Sequence, residues 1–246
     1  DFIQHVLNTK DKPACFAEIE SIRKDLLKDD QTITIEDFGA GSRIFSSMER
    51  KVSGIARTSL KPAKYSRLLY NIVSYYQPKI IVELGTSLGI TTSYLAKANP
   101  AGSVITMEGS NAIAAIAKNN FDKLSLKNIE IIPGNFNDTL PEVVRKNSTI
   151  EFAFIDGNHS KKPTLEYFHT LLPHITNNSI LIFDDIHWSA DMEEAWEIIK
   201  NHPKVSVTID TFQWGIVFFR AEQEKEHFVV NPFKNWSSHL FERIKI

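Results

Sequence analysis

The chain has 246 residues, of which 42% are hydrophobic and 24% are charged, and its formal net charge is −2. These values are ordinary for a globular protein of one large domain, or of one domain with a small cap, and they exclude a wholly disordered chain. The small net charge gives no reason to expect a nucleic-acid partner. No apolar run reaches the roughly 18 residues of a membrane-spanning helix, and the N-terminal residues lack the pattern of a signal peptide. Because the single cysteine, Cys15, excludes an internal disulfide and a cysteine-based zinc site, we expect a cytoplasmic protein.

Residues 1–77 predict an N-terminal helical cap. Apolar residues recur at helical spacing over 13–28 and again over 62–76. Residues 43–67 carry seven basic side chains against one acid, a local charge of +6. This stretch is either a solvated face or a basic flap that covers an anionic group, with Lys51 and Arg57 as the first candidates for contact. A loop with Gly39 and Gly41 follows two acids, but no βαβ unit comes after it, so we assign it to the cap.

Residues 78–246 predict an α/β domain in which short apolar strands alternate with helices. Strands that are apolar throughout and separated by helices are typical of a parallel sheet covered on both faces. The predicted fold is a Rossmann-like, doubly wound, seven-stranded sheet. The predicted strands are 79–84, 104–108, 129–132, 152–156, 180–184, 205–209 and 216–220. The predicted helices are 90–97, 111–123, 138–146, 163–174 and 190–200.

The last two strands break the parallel rule. Only six residues, 210–215, separate them, and six residues are too few for a crossover helix. We therefore expect an antiparallel C-terminal hairpin, which places one reversed strand in a mostly parallel sheet.

The strongest local motif is a glycine turn after the first strand of this domain. The strand ends in Glu83, and Gly85 and Gly89 then lead into a helix. Glycines let a backbone pass close to a ligand. Their spacing is not the Gly-x-Gly-x-x-Gly of a dinucleotide site, and a carboxylate at this point suits a cationic or hydroxyl-rich ligand better than a phosphate.

Three further strands end in acids. Glu108 ends the second strand, where a carboxylate accepts hydrogen bonds from ribose hydroxyls. Asp156 follows a later strand, and Asp184 and Asp185 follow the next one. Because the carboxyl ends of parallel strands share one edge of a sheet, we expect these acids and Glu83 to gather there, balanced by a cation. Four aromatic side chains near this edge are candidates either for a substrate pocket or for plain packing: His187, Trp188, Phe212 and Trp214.

With these motifs in this order, residues 59–220 resemble class I S-adenosylmethionine-dependent methyltransferases, most closely the catechol O-methyltransferase-like branch that acts on small molecules and related bacterial families. The resemblance implies S-adenosylmethionine as cofactor and transfer of a methyl group to an acceptor oxygen. It also implies cofactor-binding roles for Glu83, Gly85, Thr86, Ser87, Gly89, Glu108, Gly109, Gly134, Asn135, Phe136 and Asp156.

The same resemblance implies the residues of the reacting centre. Asp156, Asp184 and Asp185 match the positions that bind a divalent cation such as Mg²⁺ in metal-dependent members, although the third position is more often Asn there. Asp156 and Asp184 otherwise orient the cofactor and the acceptor. His159 stands where a member of the family has a general-base lysine, and a histidine titrates in the range that proton transfer requires. It is therefore the candidate base, or else a solvated or helix-capping side chain.

Two other functions remain open at the level of sequence. One is an inactive cofactor-binding or RNA-associated module with the same fold, since fold alone does not establish catalysis. The other is a nicotinamide-dependent oxidoreductase, which the glycine spacing and the terminal hairpin disfavour. The sequence identifies neither the acceptor nor the oligomeric state.

Overall fold

The computed structural model of the chain describes residues 2–9, 11–35 and 49–233. These residues fall into two compact units. The first unit takes its described residues from Asp1–Lys79 and Gly85–Thr139, and the second takes them from Ile80–Leu84 and Leu140–Ile246. The Gly39–Gly41 loop and Arg43 lie outside the described residues.

Eight α-helices form within the described ranges. They are α1 (Cys15–Leu26), α2 (Val52–Ser59), α3 (Ala63–Tyr76), α4 (Ile90–Ala98), α5 (Asn111–Lys123), α6 (Phe136–Lys146), α7 (Lys161–Leu171) and α8 (Ala190–Asn201). Two of them begin at a serine cap: the Ser110 hydroxyl accepts from the Ile113 amide, and the Ser189 hydroxyl accepts from the Met192 amide. A serine oxygen at this position pairs an amide that has no partner inside the helix.

The strands are short, as the apolar runs predict. They are β1 (Thr32–Thr34), β2 (Glu49–Lys51), β3 (Ile80–Leu84), β4 (Ser103–Glu108), β5 (Ile129–Pro133), β6 (Ile150–Ile155), β7 (Ile175–Asp184), β8 (Val207–Asp210), β9 (Trp214–Phe218) and β10 (Glu226–Val229). In the first unit, β1 pairs with β2 antiparallel, and β4 pairs with β5 in parallel.

The second unit contains the reversed strand. Parallel pairs join β3 to β6 and β6 to β7, and β9 lies antiparallel to both β7 and β8. The α/β class with a mostly parallel sheet is therefore confirmed. Strand β10 was not predicted, and it adds an eighth strand to the seven that the sequence indicates. Its sequence, Glu-His-Phe-Val, lacks the continuous apolar run that marks the inner strands. Its four residues pair with β8 and are all half-buried.

One buried polar contact ties α1 to α4 in the first unit. Tyr94 is fully buried, and its hydroxyl donates to Glu20 Oε1 at 2.9 Å. Burial, together with the negative charge of Glu20, raises the pKa of Tyr94 to about 12. The phenol therefore remains a donor at every physiological pH.

We expect Tyr94→Phe to lower the free energy of unfolding by about 1–3 kcal/mol, because a partly buried carboxylate loses a donor. Urea denaturation measures this change. Tyr75→Phe is the matched control, since Tyr75 is 40% exposed on α3 and exposed substitutions usually change stability by less than about 0.5 kcal/mol. Equal stability of the two variants would contradict a structural role for the Tyr94–Glu20 contact.

Candidate functional site

The glycine turn after β3 is held against β4 by backbone hydrogen bonds. The amides of Gly85 and Thr86 both donate to the carbonyl of Met107 at 3.0 Å. Three residues of the turn have positive φ: Gly85 at 99°, Ser87 at 48° and Gly89 at 79°. Strand β4 therefore supports the backbone conformation of this turn.

Gly89 is required for packing as well as for backbone conformation. A Cβ atom at this position would lie 2.5 Å from Phe121 Cε1 and 3.1 Å from Ala117 Cβ, both on α5. Any larger residue would push α5 away from the turn. This reason differs from the close ligand approach that the sequence suggests, and only the packed structure reveals it.

Glu108 stands at the end of β4 and holds two loops with one carboxylate. Its Oε2 accepts from the amide of Ser87 at 2.9 Å, and its Oε1 accepts from the amide of Ser110 at 3.0 Å. Hydrogen bonds from backbone amides favour the charged form of a carboxylate. The side chain is only half-buried, so an anionic acceptor faces solvent beside the glycine turn.

A second turn meets Glu108 from β5. The amide of Gly134 donates to the Glu108 carbonyl at 2.8 Å, and Gly134 has a φ of 136°. Asn135 Oδ1 accepts from the Asn137 amide at 2.9 Å and so starts α6, while Phe136 is half-buried. The Gly134 turn is thus held against the end of β4 beside Glu108 and Gly109, and Asn135 and Phe136 follow it at the start of α6.

The remaining residues of the predicted cofactor set differ in exposure. Thr86 is buried, and its hydroxyl shares a hydrogen bond of 2.6 Å with that of Thr106. Ser87 Oγ is buried and makes no hydrogen bond to any residue in the described ranges. In the second unit, Glu83 has 0% exposure on β3. The Ser87 hydroxyl, which has no hydrogen-bond partner in the described ranges, lies next to the half-buried carboxylate of Glu108. This combination fits a hydroxyl-bearing ligand such as a nucleoside.

The second unit holds a cluster of acids around one imidazole. One carboxylate oxygen each from Asp156 and Asp184 and one ring nitrogen of His159, all potential metal ligands, lie within 4.8 Å of one another. His159 Nε2 lies 3.6 Å from Asp156 Oδ1, and its Nδ1 lies 3.8 Å from Asp185 Oδ2. The imidazole therefore stands between the carboxylates of Asp156 and Asp185.

The C-terminal hairpin anchors two of these acids. Asp184 is buried, and its Oδ1 accepts from the indole nitrogen of Trp214 at 2.6 Å. Asp185 has a φ of 54°, and its Oδ1 accepts from Gln213 Nε2 at 3.4 Å. The sequence analysis missed both hairpin contacts, because nothing in the local pattern shows that residues 213 and 214 reach the end of β7.

The donor set of the cluster fits a divalent cation. Carboxylate oxygens suit Mg²⁺ and Mn²⁺, and an imidazole nitrogen suits transition metals. The sequence predicts Asp156, Asp184 and Asp185 as ligands. In the structure the converging group contains Asp156 and Asp184 with His159, while Asp185 faces the other side of the imidazole.

The predicted aromatic wall divides into exposed and buried members. Trp188 is 59% exposed and Phe212 is 61% exposed, whereas Trp214 is completely buried. Trp214 packs edge-on against Phe154 with ring centroids 5.6 Å apart. Of the two alternatives for Trp214, the structure supports plain packing, because its ring fills the interior of the second unit.

His187 joins three segments of the second unit. Its Nε2 lies 2.8 Å from Asp210 Oδ2, and its Nδ1 lies 3.3 Å from Glu193 Oε1. Partial burial alone would lower the pKa of His187, but the two carboxylates outweigh that effect and raise the pKa above its usual value. The side chain therefore links the loop after β7 to α8 and to the end of β8.

The two basic residues singled out in the cap contact the cap itself. Lys51 Nζ pairs with Asp30 Oδ1 at 3.2 Å, and Arg57 Nη2 donates to the Leu27 carbonyl at 3.1 Å. Both contacts are exposed, and exposed ion pairs contribute little to stability.

The helices described here include none with the length and apolar character needed to cross a membrane.

Comparison with known families gives a match over the same motifs. A family model described as a methyltransferase domain matches residues 82–186, from within β3 to just beyond Asp185. A catechol O-methyltransferase from Niastella koreensis is 31% identical over 137 residues, which cover 54% of this chain and 61% of the relative. The aligned part thus spans about three fifths of that relative's length.

Solved structures show the same fold. An O-methyltransferase from Bacillus cereus in complex with SAH has a TM-score of 0.59 at 20% identity, covering 88% of this chain and 95% of the other. A methyltransferase from Podospora anserina, also with SAH bound, has a TM-score of 0.62 at 14% identity, covering 86% and 90%. The resemblance to class I S-adenosylmethionine-dependent methyltransferases that the motifs predict is confirmed.

Proposed function

We propose that this chain is an S-adenosylmethionine-dependent methyltransferase that methylates an oxygen atom of a small molecule. The observation that carries the proposal is Glu108 in the first unit, whose half-buried carboxylate accepts from the Ser87 amide of the glycine turn and whose backbone carbonyl accepts from the Gly134 amide. That arrangement offers a charged acceptor for two ribose hydroxyls between two segments of backbone. The methyltransferase-domain match over residues 82–186 supports it.

The cofactor-binding roles follow the two turns. Glu108 would accept hydrogen bonds from the ribose, and Gly109, Gly134, Asn135 and Phe136 would border the adenine. The methionine portion would be held by the remaining set: Glu83, Gly85, Thr86, Ser87, Gly89 and Asp156. S-adenosylmethionine supplies an already activated methyl group on a positively charged sulfur, so the protein mainly has to position the reactants and exclude water.

The acid cluster of the second unit would serve the acceptor. His159 would take the proton of the acceptor hydroxyl while the hydroxyl oxygen bonds to the methyl carbon and the carbon–sulfur bond breaks, which would release S-adenosylhomocysteine. Asp156 and Asp185 flank the imidazole at 3.6 and 3.8 Å and would stabilise the imidazolium that results. Asp184 would orient the acceptor from the opposite side of the cluster.

A divalent cation, if bound by the carboxylates of Asp156, Asp184 and Asp185, would hold the acceptor hydroxyl and lower its pKa, and His159 would remain available to take the proton. The chain's own contribution is then the orientation of the three carboxylates and the imidazole.

We expect a chelator such as EDTA to reduce turnover at least tenfold, and Mn²⁺ or Mg²⁺ to restore it. Asp185→Ala should lower activity without unfolding the domain, because Asp185 contacts only partly buried groups. Glu194→Ala is a control in the same unit, since that exposed acid pairs with Lys161. If turnover withstands the chelator, the acids act directly on cofactor and acceptor instead.

We further propose that residues 1–77 form a cap and residues 78–246 the methyltransferase domain, and that the protein works in the cytoplasm on a small-molecule acceptor rather than a nucleic acid. The single cysteine supports the cytoplasmic assignment, and the absence of strong net positive charge supports a small-molecule acceptor over a nucleic acid.

The test of the function is a panel of small hydroxylated acceptors with S-adenosylmethionine, scored by release of S-adenosylhomocysteine. Calorimetry should show that S-adenosylhomocysteine binds and that NAD does not. Binding without turnover for any acceptor would favour an inactive cofactor-binding module, and binding of NAD alone would favour an oxidoreductase.

A further inference from the structure

The contact between Trp214 and Asp184 is a short hydrogen bond inside the second unit. The donor and acceptor are 2.6 Å apart, Trp214 has 0% exposure, and Asp184 has 1%. The two residues face each other in the antiparallel pairing of β7 with β9. Their side chains are therefore neighbours because of strand register, although 30 residues separate them in sequence.

The indole packs against β6, and the backbone of the next residue packs against α8. The indole ring packs edge-on against Phe154 of β6, and the next residue, Gly215, leaves room for Trp196 of α8. A Cβ atom at Gly215 would lie 2.4 Å from Trp196 Cζ3. Complete burial and the contact with Phe154 leave the Trp214 side chain little freedom to rotate away from Asp184.

Packing alone does not require an indole at position 214. A phenylalanine would fill most of the same apolar space, whereas an indole N–H is a donor that must find an acceptor when buried. A hydrogen bond to an ionised carboxylate is shorter and stronger than one between neutral groups. The bond therefore determines the plane and direction of the Asp184 carboxylate.

We propose that Trp214 is a positioning residue, which orients the Asp184 carboxylate toward Asp156 and His159. This inference rests on the proposed function of the cluster. The donor atoms of Asp156, His159 and Asp184 converge within 4.8 Å, and rotation of one carboxylate would disperse them. Trp214 itself contacts neither acceptor nor cofactor in this scheme.

The first test compares Trp214→Phe with Trp196→Phe. Both variants remove an indole from the interior of the second unit, but only the first removes a donor to Asp184. We expect kcat of Trp214→Phe to fall about ten- to hundredfold, the effect of losing a hydrogen bond to a charged group, with KM for the cofactor within about twofold of the wild-type value. Trp196→Phe should retain kcat within about threefold. Full kcat in a folded Trp214→Phe variant, or equal losses in both variants, would overturn the positioning role.

The second test does not depend on activity or on the folding of Trp214→Phe. The protein is labelled with ¹⁵N at the indole nitrogens of its four tryptophans, and the Trp214 signal is assigned by elimination through single substitutions of Trp188, Trp196 and Trp236. We expect this N–H to exchange slowly with solvent and to shift when Asp184 is replaced by Asn, while Trp196→Phe leaves its shift nearly unchanged. A Trp214 signal that is insensitive to Asp184→Asn would refute the contact. If the signal responds but no acceptor is methylated, the pair stands and the proposed function fails.

Discussion

Replacing Glu108 with alanine is expected to weaken S-adenosylhomocysteine binding by about a hundredfold or more. The proposed ribose contact uses a charged acceptor, and hydrogen bonds to charged groups are worth roughly 1.5–3 kcal/mol each. The same substitution also removes the acceptor for the Ser87 and Ser110 amides, so the glycine turn loses its anchor. Isothermal titration calorimetry measures the change directly.

Two variants control for this experiment. Glu130→Ala removes an exposed carboxylate from β5 in the same unit and should leave the affinity within about twofold. Glu108→Gln keeps one acceptor oxygen for the loop but loses the charge, so an intermediate affinity is expected. A folded Glu108→Ala variant with wild-type affinity would remove Glu108 from the cofactor site.

Replacing His159 with alanine is expected to lower kcat by about 10²- to 10⁴-fold, which is the usual contribution of a general base. The imidazole lies between Asp156 and Asp185 at the ends of β6 and β7, and nothing in the described part of the second unit offers a second histidine within the cluster. Steady-state kinetics with the best acceptor of the panel measures the loss.

The affinity for S-adenosylhomocysteine should change little in His159→Ala, because the proposed ribose and adenine contacts come from other residues. His169→Ala is the matched control, since this exposed histidine lies on α7 of the same unit and should leave kcat unaffected. A loss of cofactor affinity equal to the loss in kcat would assign His159 to cofactor binding instead of proton transfer.

The predicted cofactor turn shows how far local pattern reaches. Consecutive residues predict an apolar strand, a glycine turn and a helix, and the structure forms β3, the turn and α4 in that order. The reason for Gly89 was not visible in the same way, because Phe121 lies on another helix. Steric exclusion depends on which elements pack together.

In the acid cluster, too, local sequence predicts part of the arrangement and packing between elements decides the rest. Acids at the ends of apolar strands predict that Asp156, Asp184 and Asp185 meet, and the structure brings them together around His159. The pattern does not show which donors converge. That outcome depends on the positive φ of Asp185 and on Gln213, whose side chain reaches the carboxylate from the hairpin.

By itself the sequence determined the alternation of strands and helices, the reversal at the C-terminal hairpin and the positions of the acids at strand ends. These features depend on residue type and spacing within about ten neighbouring positions, where hydrophobic periodicity and chain length act directly. Only the tertiary structure decided that Trp214 is a buried donor to Asp184 and that Glu108 holds two loops. Both contacts join residues about 20 to 30 positions apart, and strand register and packing, which local periodicity does not encode, determine which side chains meet.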